Sequence, residues 1–146
     1  MSNPSRREVL QTLLAAGAAG ALFATGCAAA VGPSGNIAAG NVSSVPIGSL
    51  KAIGTSMVIL GRDVAGIYAM TTICPHANCD MTTQGTIDPS GIICACHNSQ
   101  FTANGAVTKG PAKSSLTHFA VTVSAAGDLT VHASSTVSAA TRLAIV

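Results

Sequence analysis

Aromatic side chains are almost missing from this 146-residue chain, which has no Trp, one Tyr and three Phe residues. It therefore lacks an aromatic platform on which nucleic-acid bases or sugars stack. Charge is equally scarce, because seven Lys and Arg residues against five Asp and Glu residues leave a formal net charge of +2. A nucleic-acid-binding protein needs a basic footprint that this chain does not have, so we expect no nucleic-acid partner.

Cysteine and histidine are few but clustered. The chain holds five Cys and four His residues, and four of the cysteines fall between positions 74 and 96. The fifth, Cys27, lies in an apolar N-terminal stretch. A chain of this length accommodates one domain and a leader, so we expect the clustered residues to form a single site.

Residues 1–31 have the pattern of an export leader. The segment SRREVL at residues 5–10 resembles a twin-arginine export signal. Alternatively, Arg6 and Arg7 are the basic region of an ordinary secretory signal. The apolar stretch that follows, residues 13–31, is close to the ~20 residues needed to span a bilayer, but it consists mostly of Ala and Gly.

Three fates of this leader remain open. The segment ATGC at residues 24–27 resembles a lipoprotein cleavage site that would leave Cys27 lipidated, although Ala24 stands where Leu is usual. An uncleaved helical anchor is the second fate, and cleavage at AAA (residues 28–30) to a soluble form is the third. We expect a bacterial protein exported to the periplasm or to the outer face of the cytoplasmic membrane.

Beyond the leader, the composition predicts a flexible linker over residues 32–41 and one all-β domain over residues 42–146. Pairs of branched or alternating runs flank turn residues at 62–66, 89–91 and 125–127. Such spacing is typical of an antiparallel β sandwich or barrel. We expect Met57 and Met70 in strands, and His118 and His132 on the surface.

Two short segments contain the candidate metal ligands: CPHANC at residues 74–79 and CACHNS at residues 94–99. Their spacing is C-x-H, 17 residues, then C-x-x-H, with an additional Cys in each segment. Two Cys and two His are the ligand set of a Rieske [2Fe–2S] centre. Zinc sites usually begin with C-x2–4-C, and the plant-type all-Cys cluster has its own spacing, so both alternatives fit less well.

These two motifs resemble those of the Rieske iron–sulfur family, and the resemblance extends over about residues 42–131. It implies a β base with a cluster-binding subdomain inserted at about residues 72–113. It also implies Cys74 and Cys94 as ligands of one iron, and His76 and His97 as ligands of the other. As in exported members, Cys79 and Cys96 would form a disulfide, with two free thiols as the alternative. A disulfide indicates an oxidising compartment.

The resemblance also suggests residues that tune the cluster and residues that depart from the family pattern. Ser99 matches a Ser that donates to a bridging sulfide, and Phe101 stands where high-potential members have Tyr. Gly110-Pro111 matches the start of a loop that covers the cluster. Ala77 replaces a Leu usual in cytochrome bc complexes, and Asn78 and Asn98 fall where Gly is usual, which weakens the case for quinol oxidation.

The function implied is one-electron transfer by a subunit of an exported or membrane-associated electron-transport complex, rather than stand-alone catalysis. The alternative is the small Rieske subunit of an exported oxidoreductase, as in the arsenite oxidase type. A ferredoxin-like component of an oxygenase is disfavoured by the export signal and the additional Cys pair, and a structural metal module by the ligand spacing. The expected partners are a cytochrome or a catalytic subunit, together with a membrane.

Overall fold

The computed structural model describes residues 32–145, and the expectations for the leader, including Cys27, lie outside them. The described chain is all-β, with a single 3₁₀ turn at Val42–Ser44 as its helical element. The strands are β1 (Asn36–Asn41), β2 (Ser49–Ala52), β3 (Val58–Asp63), β4 (Gly66–Thr71), β5 (Gly85–Asp88), β6 (Gly91–Cys94), β7 (Ser99–Phe101), β8 (Val107–Lys109), β9 (His118–Val123) and β10 (Asp128–Val137). Within residues 32–145 there is no helix long and apolar enough to cross a membrane.

The ten strands form two antiparallel sheets. The larger has the order β1-β10-β9-β4-β3-β2, and the smaller has the order β5-β6-β7-β8. Strands β4 and β9 are neighbours in the larger sheet, although the whole smaller sheet lies between them in sequence. The chain therefore leaves the base at the end of β4, builds a second sheet, and returns at β9, as expected for an inserted subdomain.

The centre of the larger sheet is covered on both faces. Every residue of β4 is buried, as are the first four residues of β3. Side chains alternate between the faces of a strand, so the two strands supply two cores. Residues 58, 60, 67 and 69 pack in the base core, whereas residues 59, 68 and 70 pack against the smaller sheet. The second core joins the base directly to the segments that contain the candidate ligands.

The prediction of a flexible linker over residues 32–41 is wrong for residues 36–41. Residues 36–41 form β1, which pairs with β10 and becomes an edge strand of the larger sheet. Ala39 is buried and Ile37 packs against the base core. The segment has little intrinsic β propensity, because it is rich in Asn, Ala and Gly. Its pairing with β10, some 90 residues away in sequence, orders it nevertheless.

The prediction that His118 lies on the surface is wrong, because the residue is buried. Its side chain is 3% exposed; Nδ1 lies 3.0 Å from the Leu116 carbonyl and Nε2 lies 3.3 Å from the Asn104 side-chain oxygen. Burial lowers the pKa of His118 below its usual 6.5, and the charge of Arg142 lowers it further, although the Leu116 carbonyl acts in the opposite direction. His118 is therefore held chiefly in its neutral form by the fold.

The segment after β10 packs back onto the base. Leu143 forms backbone hydrogen bonds with Ile67 in both directions, at 2.8 and 2.9 Å. Arg142 forms an ion pair with Asp63 at 2.7 Å and its guanidinium carbon lies 4.1 Å from the centre of the Tyr68 ring. These contacts close the end of the base that is distant from the candidate ligands.

Candidate metal centre

The first ligand loop, residues 74–79, follows β4 and is closed at its base by backbone hydrogen bonds. The Cys74 amide donates to the Cys79 carbonyl, and the Asn78 amide donates to the Cys74 carbonyl, both at 2.9 Å. Just outside the loop, Ile73 and Asp80 form an antiparallel bridge. Because β4 is buried throughout, the position of this loop is set by the core of the protein.

The second ligand loop, residues 94–99, connects β6 to β7. Cys94 pairs with Ser99 across the two strands. The Ala95 amide donates to the Gln84 carbonyl at 2.8 Å, which ties the loop to the segment that precedes β5. Residues 95–98 therefore project from the end of the smaller sheet, next to the first loop. We call residues 75–78 and 95–98 together the tip.

The structure brings the candidate ligands together in two pairs, Cys74 with Cys94 and His76 with His97. Cys74 and Cys94 are buried free thiols, whereas His76 and His97 are exposed. The centres of the two imidazole rings lie 4.7 Å apart, and the rings are nearly perpendicular at 82°. Two sulfur donors thus lie inside the protein and two nitrogen donors lie at its surface.

The predicted disulfide between Cys79 and Cys96 is present and covalently joins the two ligand loops. Its Cα atoms are 6.7 Å apart and the two residues are separated by 17 positions in sequence. The Cys94 Sγ lies within 4.8 Å of both disulfide sulfurs. The bond therefore lies directly beside a candidate ligand and holds the two loops at a constant separation.

A third segment, residues 110–113, packs over the second loop. The Ala112 amide donates to the Ser99 hydroxyl oxygen at 3.0 Å, and both residues are buried. Phe101 and Met81 lie in the same buried cluster as Cys74 and Cys94. Ser99 and Phe101, for which the family resemblance implies a tuning role, are both buried on the inner side of the ligand loops.

Burial raises the pKa of the Cys94 thiol, and the neighbouring Cys74 raises it further. The backbone amides of Cys96 and His97 act in the opposite direction by donating hydrogen bonds to the Cys94 sulfur. Amides that donate to a sulfur stabilise its thiolate form, which is the form that binds a metal ion. The second loop thus presents its own N–H groups to one candidate ligand.

The two Asn residues that depart from the family's usual Gly retain a Gly-like backbone. Asn78 has φ 58° and Asn98 has φ 59°, both in the left-handed region. Asn is among the non-Gly residues that enter this region most readily. Hence the turn after each candidate His ligand is preserved, although each Asn adds a polar side chain to the exposed tip.

Two features near the site were missed by sequence reasoning. The hydrogen bond from the Ala112 amide to Ser99 depends on the approach of separate loops, and no local pattern indicates it. The placement of Lys109 likewise follows from strand register, and that of Lys113 from the contact of its neighbour Ala112 with Ser99. The only sequence signal was that both lysines flank Gly110-Pro111.

Comparison with known proteins identifies the domain. A family model described as the Rieske [2Fe-2S] domain matches residues 30–120. The cytochrome b6-f complex iron-sulfur subunit of Prochlorococcus marinus (strain MIT 9303) is 34% identical over 67 residues, covering 46% of this chain and 36% of that protein. The corresponding subunit of Synechococcus sp. (strain WH7803) is 34% identical over 85 residues, covering 54% and 47%. The chain thus spans less than half the length of these curated relatives.

Solved structures share the fold. The plasma membrane Rieske protein PetC3 from Synechocystis PCC 6803 superposes with a TM-score of 0.50 at 24% identity, covering 66% of this chain and 99% of that protein. The quaternary ammonium Rieske monooxygenase CntA, solved with L-carnitine, gives a TM-score of 0.51 at 17% identity, covering 68% of this chain and 32% of CntA. These likenesses support the all-β Rieske fold.

The residues present fit a [2Fe–2S] cluster of the Rieske type. Two buried thiols and two neighbouring imidazoles are the donor set that this cluster requires. The disulfide removes the other two sulfurs of the region from competition for iron. The domain match and the donor chemistry therefore agree on the same cofactor.

Proposed function

Because the chain belongs to the Rieske [2Fe-2S] domain family, we propose that it transfers single electrons as a subunit of an exported or membrane-associated electron-transport complex. A [2Fe–2S] cluster with two His ligands supplies a one-electron couple of about −150 to +300 mV, well above that of plant-type all-Cys clusters. The single observation that supports the proposal best is the arrangement of donors. The two thiols are buried and the two imidazoles are exposed, so the thiols would hold the cofactor from inside and the imidazoles from the surface.

Each proposed ligand has a distinct role. Cys74 and Cys94, both buried, would hold one iron through their thiolates. His76 and His97 would hold the other iron through one ring nitrogen each, and their second nitrogens would remain available to a partner protein or to solvent. A redox partner could therefore approach the cluster by contacting the two exposed imidazoles at the protein surface.

The tip is built for close approach of another protein. Residues 75–78 and 95, 97 and 98 are exposed, and none of them carries a formal charge apart from the protonation of histidine. Electron transfer needs a short path between centres and weak, transient contacts, which small interfaces provide. Ala77 and Ala95 offer little steric hindrance beside the two imidazoles.

The cofactor assignment is tested on the purified holoprotein. We expect two iron atoms and two acid-labile sulfides per chain, and a rhombic electron-spin signal after reduction. His76→Ala and His97→Ala should each prevent assembly of the cluster, whereas His132→Ala, which alters a histidine of β10 outside both loops, should not. Stoichiometric zinc without sulfide would refute the assignment.

An exported setting is supported by the disulfide, because thiols in the bacterial cytosol are kept reduced. Membrane association is supported by the similarity to iron-sulfur subunits of cytochrome b6-f complexes. The expected attachment is the leader, by lipidation of Cys27 or by an uncleaved anchor. Mass spectrometry of the mature N-terminus tests this: lipidation predicts a chain that begins at Cys27 with added diacylglycerol mass, whereas a soluble chain beginning near Val31 contradicts membrane attachment.

A second candidate is the small Rieske subunit of an exported oxidoreductase, as in the arsenite oxidase type. Ala77 favours it, since an exposed small residue replaces the Leu that packs against the quinol-binding subunit in cytochrome bc complexes. The two candidates differ in their partners, a membrane cytochrome or a soluble catalytic subunit. Affinity purification of the tagged chain from detergent-solubilised membranes and from periplasmic extract, followed by identification of stoichiometric partners, distinguishes them.

A further inference from the structure

Two of the three lysines in the chain lie at the same end of the molecule as the candidate ligands. Lys109 pairs with Gln100 across β7 and β8, and Gln100 follows the second ligand loop directly. Lys113 follows Ala112, whose amide is bonded to Ser99 at the base of that loop. Both lysines are exposed to solvent.

Most carboxylates of the described residues lie away from the end of the molecule that contains the candidate ligands. Asp88 lies at the turn between β5 and β6, opposite the end where Gly85 pairs with Cys94. Asp63 lies at the turn between β3 and β4, and is paired with Arg142. Asp128 begins β10, whose partner β9 runs away from the ligand end after His118.

Asp80 is the described carboxylate that lies near the ligand loops, and it lies on the side of the first loop. Its side chain accepts hydrogen bonds from both the amide and the hydroxyl of Thr82. Lys109 and Lys113 lie instead on the side of the second loop. One flank of the uncharged tip therefore carries two positive charges that no described carboxylate neutralises through a salt bridge.

We propose that Lys109 and Lys113 form a cationic docking site for a redox protein whose own electron-transfer face carries carboxylates. This inference rests on the electron-transfer function proposed above and names the chemistry of the partner. Complementary charges steer two proteins into an orientation that places their redox centres close together, and they increase the association rate. The lysines flank the tip rather than occupy it, so they guide the partner without separating it from His97.

The charge at the site is tested with small redox reagents and the reduced holoprotein. In stopped flow, one electron passes from the protein to hexacyanoferrate(III), which becomes hexacyanoferrate(II), or to tris(phenanthroline)cobalt(III), which becomes cobalt(II). The rate with the anion should fall as ionic strength rises, and the rate with the cation should not fall. An anion rate that is independent of salt or rises with it would overturn the proposal.

Single substitutions locate the effect. Lys109→Gln and Lys113→Gln should each slow oxidation by hexacyanoferrate(III) roughly three- to fivefold at low ionic strength, from Coulomb's law for a trivalent anion about 15 Å away in water. The matched control is Lys51→Gln, which removes the same charge from the middle of β2, opposite Leu60. Equal effects of all three substitutions would mean that only the net charge matters, and would overturn the site.

A binding measurement tests the docking site independently of electron transfer. The paramagnetic, redox-inert anion hexacyanochromate(III) should broaden the NMR signals of the Lys109 and Lys113 side chains more than those of Lys51. No such preference would contradict the docking site, even if electron transfer occurs. A clear preference in a protein that neither reagent oxidises would refute electron transfer and leave an anion-binding surface.

The charge preference of the docking site is also tested with two redox proteins. Oxidation by a plastocyanin with an acidic patch should slow as salt is added and should slow further in the Lys109→Gln/Lys113→Gln double variant. Oxidation by a basic mitochondrial-type cytochrome c should show the opposite salt dependence. Faster reaction with the basic protein in low salt than in high salt would mean that the docking face attracts cations, which would overturn the proposal.

Discussion

The Ala112 amide donates a hydrogen bond to the Ser99 hydroxyl oxygen at 3.0 Å, and both residues are buried beside the candidate ligands. A serine hydroxyl has one donor and two acceptor positions. Because the bond from Ala112 uses an acceptor position, the hydroxyl proton of Ser99 is free to be donated to another atom. In the Rieske site that we propose, this atom would be a sulfur of the cluster.

We therefore predict that Ser99→Ala lowers the midpoint potential. A hydrogen bond to sulfur stabilises the reduced form, and a lost bond of about 1–1.5 kcal/mol corresponds to several tens of millivolts in a one-electron couple. Protein-film voltammetry measures the shift. Ser99→Thr is the matched control because it retains the hydroxyl, and an unchanged potential in Ser99→Ala would mean that Ser99 does not face the cluster.

Phe101→Tyr should raise the potential by a similar amount. Phe101 is 2% exposed and packs in the same cluster as Cys74 and Cys94, so a new hydroxyl would lie in a region from which water is excluded. A donor in that environment interacts more strongly with a nearby sulfur than it would in water. Phe101→Leu serves as the control for altered packing, and an increase of equal size in that variant would contradict the role of the hydroxyl.

Removal of the Cys79–Cys96 disulfide, by reduction or by Cys96→Ser, should accelerate loss of the cluster on heating. Closing a loop of about 17 residues stabilises a folded protein by roughly 3 kcal/mol in the chain-entropy account. The visible absorption of the cluster, followed during a temperature ramp, measures the loss. Iron content at low temperature should be nearly unchanged at first, because Cys74 and Cys94 are retained, and immediate loss of iron would contradict this prediction.

Burial of neutral His118 makes stability depend on pH. Its pKa in the folded protein is below the usual value of 6.5, so between the two values the unfolded chain binds the additional proton. The free energy of unfolding should therefore fall as pH decreases below about 6.5 and level off below the folded pKa. Urea denaturation between pH 5 and 8 measures this, and His118→Gln should reduce the slope. An identical slope in the variant would assign the pH dependence to other groups.

Arg142 and Asp63 form an ion pair, but we expect the two residues to contribute unequally to the free energy of unfolding. Arg142 also contacts the Tyr68 ring and donates a hydrogen bond to the Asn104 side chain. Arg142→Ala should therefore lower the free energy of unfolding by about 2–3 kcal/mol. Asp63 is 40% exposed at its side chain, so Asp63→Asn should cost about 1 kcal/mol or less. Chemical denaturation of both variants and of the double variant measures the coupling, and equal costs would contradict this view.

The same pair has a predictable dependence on pH. Burial opposes ionisation of Asp63, but the hydrogen bond with Arg142 and those from the amides of Ala65 and Gly66 outweigh it, so the pKa of the carboxyl is below 3.8. A depressed pKa gives stability that is present above about pH 4 and is lost as pH falls through the folded value. The difference between the wild type and Asp63→Asn should therefore shrink in acid.

Much of the strand pairing in both sheets was predictable because its signals are local. The runs around residues 62–66, 89–91 and 125–127 alternate or are rich in branched residues, and each became a hairpin. In contrast, residues 36–41 carry no such signal and form β1 only because the exposed edge of β10 is available to them. Likewise, the burial of His118 depends on the loop at Asn104 and on Arg142, which are distant in sequence.

The sequence by itself determined which donors are available to the proposed site, because Cys74, His76, Cys94 and His97 supply two thiols and two imidazoles at the spacing of the Rieske motifs. Only the tertiary structure decided which donors are buried, since this depends on the packing of the smaller sheet against β4. It also decided that Ser99 accepts from Ala112, and that Lys109 and Lys113 lie beside the tip. Ligand type is a property of single residues, whereas burial, hydrogen bonding between loops and surface charge arise only when distant segments meet.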